Sequence, residues 1–270
     1  MAKTIGLDYI TVTSVAPIPV MGILDALGIE VVKTIEDARI VGFKGLHYVT
    51  GLGSAYDLYD SGMHRPYLVQ FTSSLAESVR VMLFEHLWEI MKSHGVDVMD
   101  MPWQVTRIDV ALDVERDDRL DGFAARQVAD DWFASSGGRC PKMRVYSSED
   151  GDTLYIGSSS STKQWRIYQK SGAWRYEVQL RNQSKSRYAM AAAMAIANEG
   201  SKALAMVYNA HRYGFFPEIW GGVLPRGNVS QETNTEKWLY GVVRKALSKV
   251  SIEVAQKFID MCQYDVDCRS

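Results

Sequence analysis

Three short runs of this sequence gather the side chains best suited to chemistry. Arg107, Asp109 and Asp113 lie in Thr106-Arg107-Ile108-Asp109-Val110-Ala111-Leu112-Asp113-Val114. Arg166, Tyr168 and Lys170 lie in Trp165-Arg166-Ile167-Tyr168-Gln169-Lys170, and Arg175, Glu177, Gln179 and Arg181 in Trp174-Arg175-Tyr176-Glu177-Val178-Gln179-Leu180-Arg181. Each run alternates apolar and polar residues, the period of a strand with one face on a core. If the three strands share a sheet, one surface collects carboxylates, arginines, a lysine and a tyrosine. Carboxylates are hard oxygen ligands that favour Mg²⁺ or Mn²⁺ over zinc. Arginines grip phosphates, and a tyrosine supplies an oxygen nucleophile.

Spacing limits how these groups can combine. Asp109 and Asp113 share a face but stand roughly 13 Å apart at about 3.3 Å per residue. They reach one ion only if the strand bends or one acts through water. Asp109 with Glu177 of a neighbouring strand is the better pair, and the competing reading is an ion bridge from Asp109 to Arg107 or Arg175. Tyr168 has an ordinary pKa near 10 and needs a base or cationic neighbours to become a nucleophile. Arg166, Lys170 and Arg175 are the expected cations. A strand tyrosine is otherwise a packing residue; Tyr155, Tyr176 and Tyr188 compete for the role, but Tyr176 falls on the apolar face. Parity likewise directs Trp165 and Trp174 toward core rather than toward stacking on bases. The hairpin supplies a register test. Tyr168 shares a face with Glu177 if Ser171-Gly172 forms a two-residue turn, or if a four-residue loop keeps the same offset. Arg166 then opposes Glu177 and Tyr168 opposes Arg175.

The elements that must position these runs are readable along the chain. Residues 7–15 predict a first strand, Pro17 and Pro19 end it, and 20–27 predict a short helix stopped by Gly28. Strands follow at 30–35, 39–49, 55–59 and 67–71. A helix begins near Ser73-Ser74, with Glu77 completing a capping box, and carries an apolar stripe of Val79, Met82, Leu83, Leu87, Ile90 and Met91 to Gly95. A helix is expected at 122–133, paired strands at 142–146 and 153–156, helix through most of 184–210 with a break near Gly200-Ser201, and two helical stripes between 238 and 261. This order predicts an α+β fold, a mostly antiparallel sheet with helices on one face.

The totals bound the partners. The 270 residues, 47% hydrophobic with a net charge of -2, can fill a core but are not coated in positive charge. Binding to nucleic acid must therefore come from a local patch. Between Ser158 and Asn198 the basic residues are Lys163, Arg166, Lys170, Arg175, Arg181, Lys185 and Arg187, against the single acid Glu177. Such a patch can also be a plain solvated face. Cys140, Cys262 and Cys268 fit no zinc spacing or disulfide framework; Cys262 and Cys268 could pair, but free thiols in a reducing cytoplasm are expected. No signal-peptide run or membrane-length segment is present, so a cytoplasmic, soluble protein is expected. No Gly-x-Gly-x-x-Gly fingerprint or P-loop lysine motif occurs, which argues against ATP or dinucleotide chemistry.

These residues resemble the replication initiation factor family, the rolling-circle initiators of phages, plasmids and integrative elements, which includes some conjugative relaxases. The likeness covers most of residues 5–220. It opens with Leu7-Asp8-Tyr9-Ile10-Thr11-Val12-Thr13 and continues through Leu68-Val69-Gln70-Phe71-Thr72-Ser73-Ser74. It is closest in Arg107 to Asp113, Thr153-Leu154-Tyr155-Ile156-Gly157-Ser158, Arg166 to Lys170 and Arg175 to Arg181. Where related proteins include a glycine in the small polar turn, this chain has Thr72-Ser73-Ser74. The resemblance implies a metal-dependent nicking-closing enzyme on a sheet related to the RRM-like sheet of the His-hydrophobic-His endonucleases. No such pair occurs among His47, His64, His86, His94 and His211, so Asp109, Asp113 and Glu177 are the implied metal ligands. Tyr168, with Arg166 and Lys170, is the implied catalytic group. Attack displaces a DNA 3′-oxygen, leaves the 5′-phosphate on tyrosine and frees a 3′-hydroxyl to prime synthesis. The ester keeps the energy of the broken bond, so rejoining needs no ATP. Lys163, Arg175, Arg181, Lys185 and Arg187 are the expected DNA contacts.

The implied organisation is a nicking domain over 1–227, in halves 1–100 and 101–227, and a C-terminal helical segment over 228–270. Its implied partners are single-stranded or supercoiled origin DNA and a host helicase and polymerase. The last helices are candidates for homodimerisation, duplex recognition or plain packing. Two other classes remain open: a non-catalytic DNA-binding replication accessory protein, and a metal-dependent phosphodiesterase that uses water.

Overall fold

The computed structural model describes residues 3–94, 101–115, 142–148, 151–182, 188–199 and 201–213, with 117, 120, 216, 217 and 219. Ten strands form one sheet: β1 (Lys3–Ser14), β2 (Val31–Ile40), β3 (Phe43–Thr50), β4 (Gly53–Tyr59), β5 (Tyr67–Thr72), β6 (Trp103–Val114), β7 (Met143–Ser148), β8 (Gly151–Ile156), β9 (Lys163–Lys170) and β10 (Ala173–Arg181). Four helices are described: α1 (Val20–Ala26), α2 (Ser74–His94), α3 (Tyr188–Glu199) and α4 (Ser201–His211). Strand order is β2-β3-β4-β5-β1-β6-β10-β9-β8-β7, every pairing antiparallel. The fold is α+β, as the sequence predicts. β1 and β6 are the central pair, so residues 3–94 and 101–219 build one sheet rather than two.

The alternation of the three runs decides which face carries the core. Ile108, Val110 and Leu112 are fully buried and pack with Val79, Leu83 and Leu87 of α2 and with Ala192, Ala193 and Ile196 of α3. Removing such side chains from water is the main stabilising term. The α3 helix is small and apolar along most of its length, which lets it lie close against β6 and β10. Among the described residues no helix is long and apolar enough to cross a membrane. The expected helix at 122–133, the stripes between 238 and 261, the segment 228–270 and the three cysteines lie outside the described residues.

Two local expectations differ, and β1 carries an irregularity the sequence reading did not address. The stretch 39–49 is not one strand: Val41 (φ 46°) and Gly42 (φ 92°) make a two-residue turn that joins β2 to β3. The turn hides in sequence because Ile40, Val41 and Phe43 read as a continuous apolar run, although Val41 is 94% exposed. Strand β1 carries a bulge at Asp8, where the register passes from Leu7↔Val110 to Tyr9↔Asp109. Glu77 forms no capping box; its Oε2 accepts the Leu7 backbone N–H at 3.0 Å, on the side of β1 where β5 has ended.

Candidate active site

The hairpin register settles which residues face one another. Ser171 (φ 51°) and Gly172 (φ 81°) form a two-residue turn with both residues left-handed, the twist that strands of a tight hairpin favour. Lys170 therefore pairs with Ala173, Tyr168 with Arg175, and Arg166 with Glu177. On the other side β10 meets β6, with Arg175 opposite Asp113, Glu177 opposite Ala111 and Gln179 opposite Asp109. All of these side chains stand on the face away from the helices.

Asp109 and Glu177 are fully buried there. A buried carboxylate needs partners, and both have them. Asp109 accepts from Arg107 Nε at 3.0 Å, from Arg166 Nη2 at 3.2 Å and from Gln179 Nε2 at 3.1 Å. Glu177 Oε1 accepts from the same Arg166 Nη2, and its Oε2 accepts the Tyr168 hydroxyl at 3.0 Å. One guanidinium nitrogen thus bridges two carboxylates, and one of these also holds the tyrosine.

A second group lies beside the first. Arg175 donates from Nε and Nη2 to the two oxygens of Asp113, each at 2.6 Å, and from Nη1 to Asp8. Lys170 Nζ donates to Asp8 at 3.3 Å. Asp8 reaches this face because it is the bulged residue: Leu7 and Ile10 both enter the core, leaving two residues between them instead of one. Sequence reasoning quoted Asp8 in a motif without assigning it a role. The signal was the Leu7–Ile10 spacing of three, which breaks strict alternation.

Charges tune the groups as follows. Burial pushes the Tyr168 phenol above its usual value, Asp8 adds to that, and Arg166 and Arg175 only partly oppose it. The expectation that nearby cations would lower this pKa therefore gives way to burial. Burial tends to lower Arg175, but Asp113 and Asp8 overcome it and hold the guanidinium firmly charged. Arg181 is pushed down by burial and by Arg107, and it donates to the Ser159 carbonyl. Arg107 also lies over the Tyr9 ring, 3.7 Å from its centroid.

The structure brings together Asp109, Glu177, Arg166 and Tyr168, with Arg175, Lys170 and Asp113 alongside. It does not pair Asp109 with Asp113: no contact joins them among those described, and Asp113 is bound by Arg175. Among the described residues no three His, Cys, Asp or Glu side chains gather as a metal cage. Lys163, expected to touch DNA, shares parity with Trp165 and Ile167 and lies over the Tyr188 ring at 4.4 Å, on the helical side. Trp165 packs against the core and donates from Nε1 to the His211 carbonyl at 2.7 Å, and Trp174 also packs there. Lys185 and Arg187 lie outside the described residues.

A solved rolling circle replication initiator protein from Geobacillus stearothermophilus is similar at a TM-score of 0.48 and 18% identity, covering 89% of this chain and 97% of that chain. No curated protein matches. Residues 103–218 match the model of the replication initiation factor family. That stretch runs from β6 through α4 and includes Asp109, Arg166, Tyr168 and Glu177.

Proposed function

We propose that this chain is a rolling-circle replication initiator that nicks one DNA strand at an origin through Tyr168. The observation that carries the reading is the hydrogen bond from the Tyr168 hydroxyl to the buried Glu177 carboxylate, inside the family-matched segment and on the face away from the described helices. Glu177 would take the phenolic proton as the tyrosine oxygen attacks phosphorus. A Tyr–O–P bond forms and the P–O3′ bond breaks. The 3′-oxygen takes a proton from Lys170 or water and leaves as a free hydroxyl. Arg166 and Arg175, on either side of Tyr168, would hold the phosphate and oppose the charge that develops on its oxygens.

The donor set also suits a divalent cation. Asp109 Oδ2 and Glu177 Oε1 already converge on a single cationic atom, Arg166 Nη2. Gln179 Oε1 is buried without a hydrogen-bond partner while the same amide holds Asp109. Asp109, Glu177 and this amide oxygen would hold Mg²⁺ or Mn²⁺, and Asp113 would orient Arg175. When bound, such an ion polarises a phosphate and stabilises its developing charge.

The test is a denaturing gel on labelled single-stranded and supercoiled origin DNA, with Mn²⁺ or EDTA, for the wild type and Tyr168→Phe. A covalent protein–DNA adduct that needs Mn²⁺ and disappears in the variant is the expected result. An adduct that survives moves the nucleophile to another tyrosine. Cleavage without an adduct points to water as nucleophile, and binding without cleavage points to an accessory protein.

A further inference from the structure

Arg166 occupies a place whose surroundings suit a metal ion. Its Nη2 bridges Asp109 and Glu177, both fully buried, so neither can be left bare at low cost. Yet Arg166 is not clamped as its neighbours are. Arg175 holds Asp113 through two parallel bonds of 2.6 Å, and Arg107 holds Asp109 through Nε at 3.0 Å as well as Nη2. The Nε of Arg166 is instead buried without a partner. Its side chain remains 20% exposed, while the carboxylates beneath it are at 0%. The guanidinium is therefore a cover over the two acids, with one face on them and a route to solvent.

We propose that Arg166 is an exchangeable stand-in for the divalent ion. Without DNA it neutralises Asp109 and Glu177 and competes with the metal. When a DNA phosphate draws the guanidinium outward, the same oxygens open to the ion. This inference rests on the reading that Asp109 and Glu177 hold a divalent cation. Its physical basis is charge: with Arg107 also on Asp109, an ion added with Arg166 in place would set four positive charges against two carboxylates. With Arg166 on phosphate, the ion replaces it and the excess falls by one, while Arg166 gains the phosphate as its counter-charge. DNA and metal must then bind cooperatively, each raising the affinity for the other by one and the same factor.

The test measures Mn²⁺ binding by electron paramagnetic resonance of the free ion, using the full chain carrying Tyr168→Phe so that no strand is cut. Binding is measured with and without a single-stranded oligonucleotide, and again after adding Arg166→Gln or Arg166→Lys. Expected in the parent is a DNA-induced rise in Mn²⁺ affinity of about 5-fold or more, the usual lower range of such coupling. Arg166→Gln is expected to bind Mn²⁺ tightly without DNA and to gain little from it. Arg166→Lys keeps a cation for folding but cannot bridge both acids as a guanidinium does, so its affinity should lie between the two. Equal Mn²⁺ affinity in the parent and both variants, unchanged by DNA, overturns the exchange and leaves the metal reading intact. No Mn²⁺ binding in any of them, with or without DNA, overturns both, while the adduct assay still decides the tyrosine chemistry separately.

Discussion

Tyr168 is kept protonated at rest. Burial and Asp8 raise its pKa, and the hydroxyl spends its hydrogen on Glu177. A nucleophile in this condition depends on its base rather than on a standing population of phenolate. Glu177→Gln should therefore lower the single-turnover rate of adduct formation by about 10²-fold or more, the usual scale of general-base catalysis. DNA affinity, followed by fluorescence anisotropy, should change far less. If phenolate formed by the cations were the active species instead, the variant would keep a rate that climbs toward high pH. Most of this constellation was legible in sequence, because strand parity and a two-residue turn suffice to set Arg166 opposite Glu177 and Tyr168 opposite Arg175. Asp8 was not, since its side chain reaches the site only through a bulge, and a bulge depends on what the neighbouring strand and helix supply.

Glu77 is what α2 supplies. Where β5 ends, the Leu7 N–H would lie open; Glu77 takes it, and the Ser73 N–H donates to the Asp8 carbonyl at 2.6 Å. The helix start thus fixes both sides of the bulge. Glu77→Ala should destabilise the fold by about 1–3 kcal/mol, the cost of a buried polar group left unpaired, and should also lower adduct formation by loosening Asp8. Glu77→Gln keeps an acceptor oxygen and should restore most of both, as measured by urea denaturation and the gel assay. The capping-box spacing pointed to the right residue with the wrong partner, because a strand edge 70 residues away is invisible to a local motif. At the end of α4, burial holds His211 down to about 3 from an ordinary 6.5. Below about pH 6.5 the unfolded chain binds a proton that the folded chain refuses. Stability is thus full above that pH and falls toward pH 3, by about 1.4 kcal/mol per pH unit for one proton. His211→Phe should remove that slope from denaturation midpoints measured between pH 4 and 6.5.

The molecule as a whole divides its two faces sharply. The described helices pack on one side of β1, β4, β5, β6 and β10, and the other side carries the arginines of β6, β9 and β10. With a net charge of -2 the chain cannot attract DNA through its overall field. The proposed electrostatic binding would come from the few cations on the face away from the described helices, and counterion release would tie the salt dependence of affinity to their number. Arg181 suits this role well. Burial first, and then Arg107 and Arg166, push its pKa down, its described hydrogen bond goes to a neutral carbonyl, and an incoming phosphate would favour its charged form. Arg181→Gln should reduce the slope of log affinity against log salt by about 1. Lys92→Gln on α2, where Lys92 pairs with Glu89 on an exposed helix surface, should leave that slope unchanged. Anisotropy titrations of single-stranded DNA across a salt series measure both. Equal slopes in the two variants would mean that DNA lies on the helical side, contrary to the placement of Tyr168 and Glu177. A loss confined to Arg181→Gln would put the bound strand across β6, β10 and β9, over the tyrosine proposed to cut it.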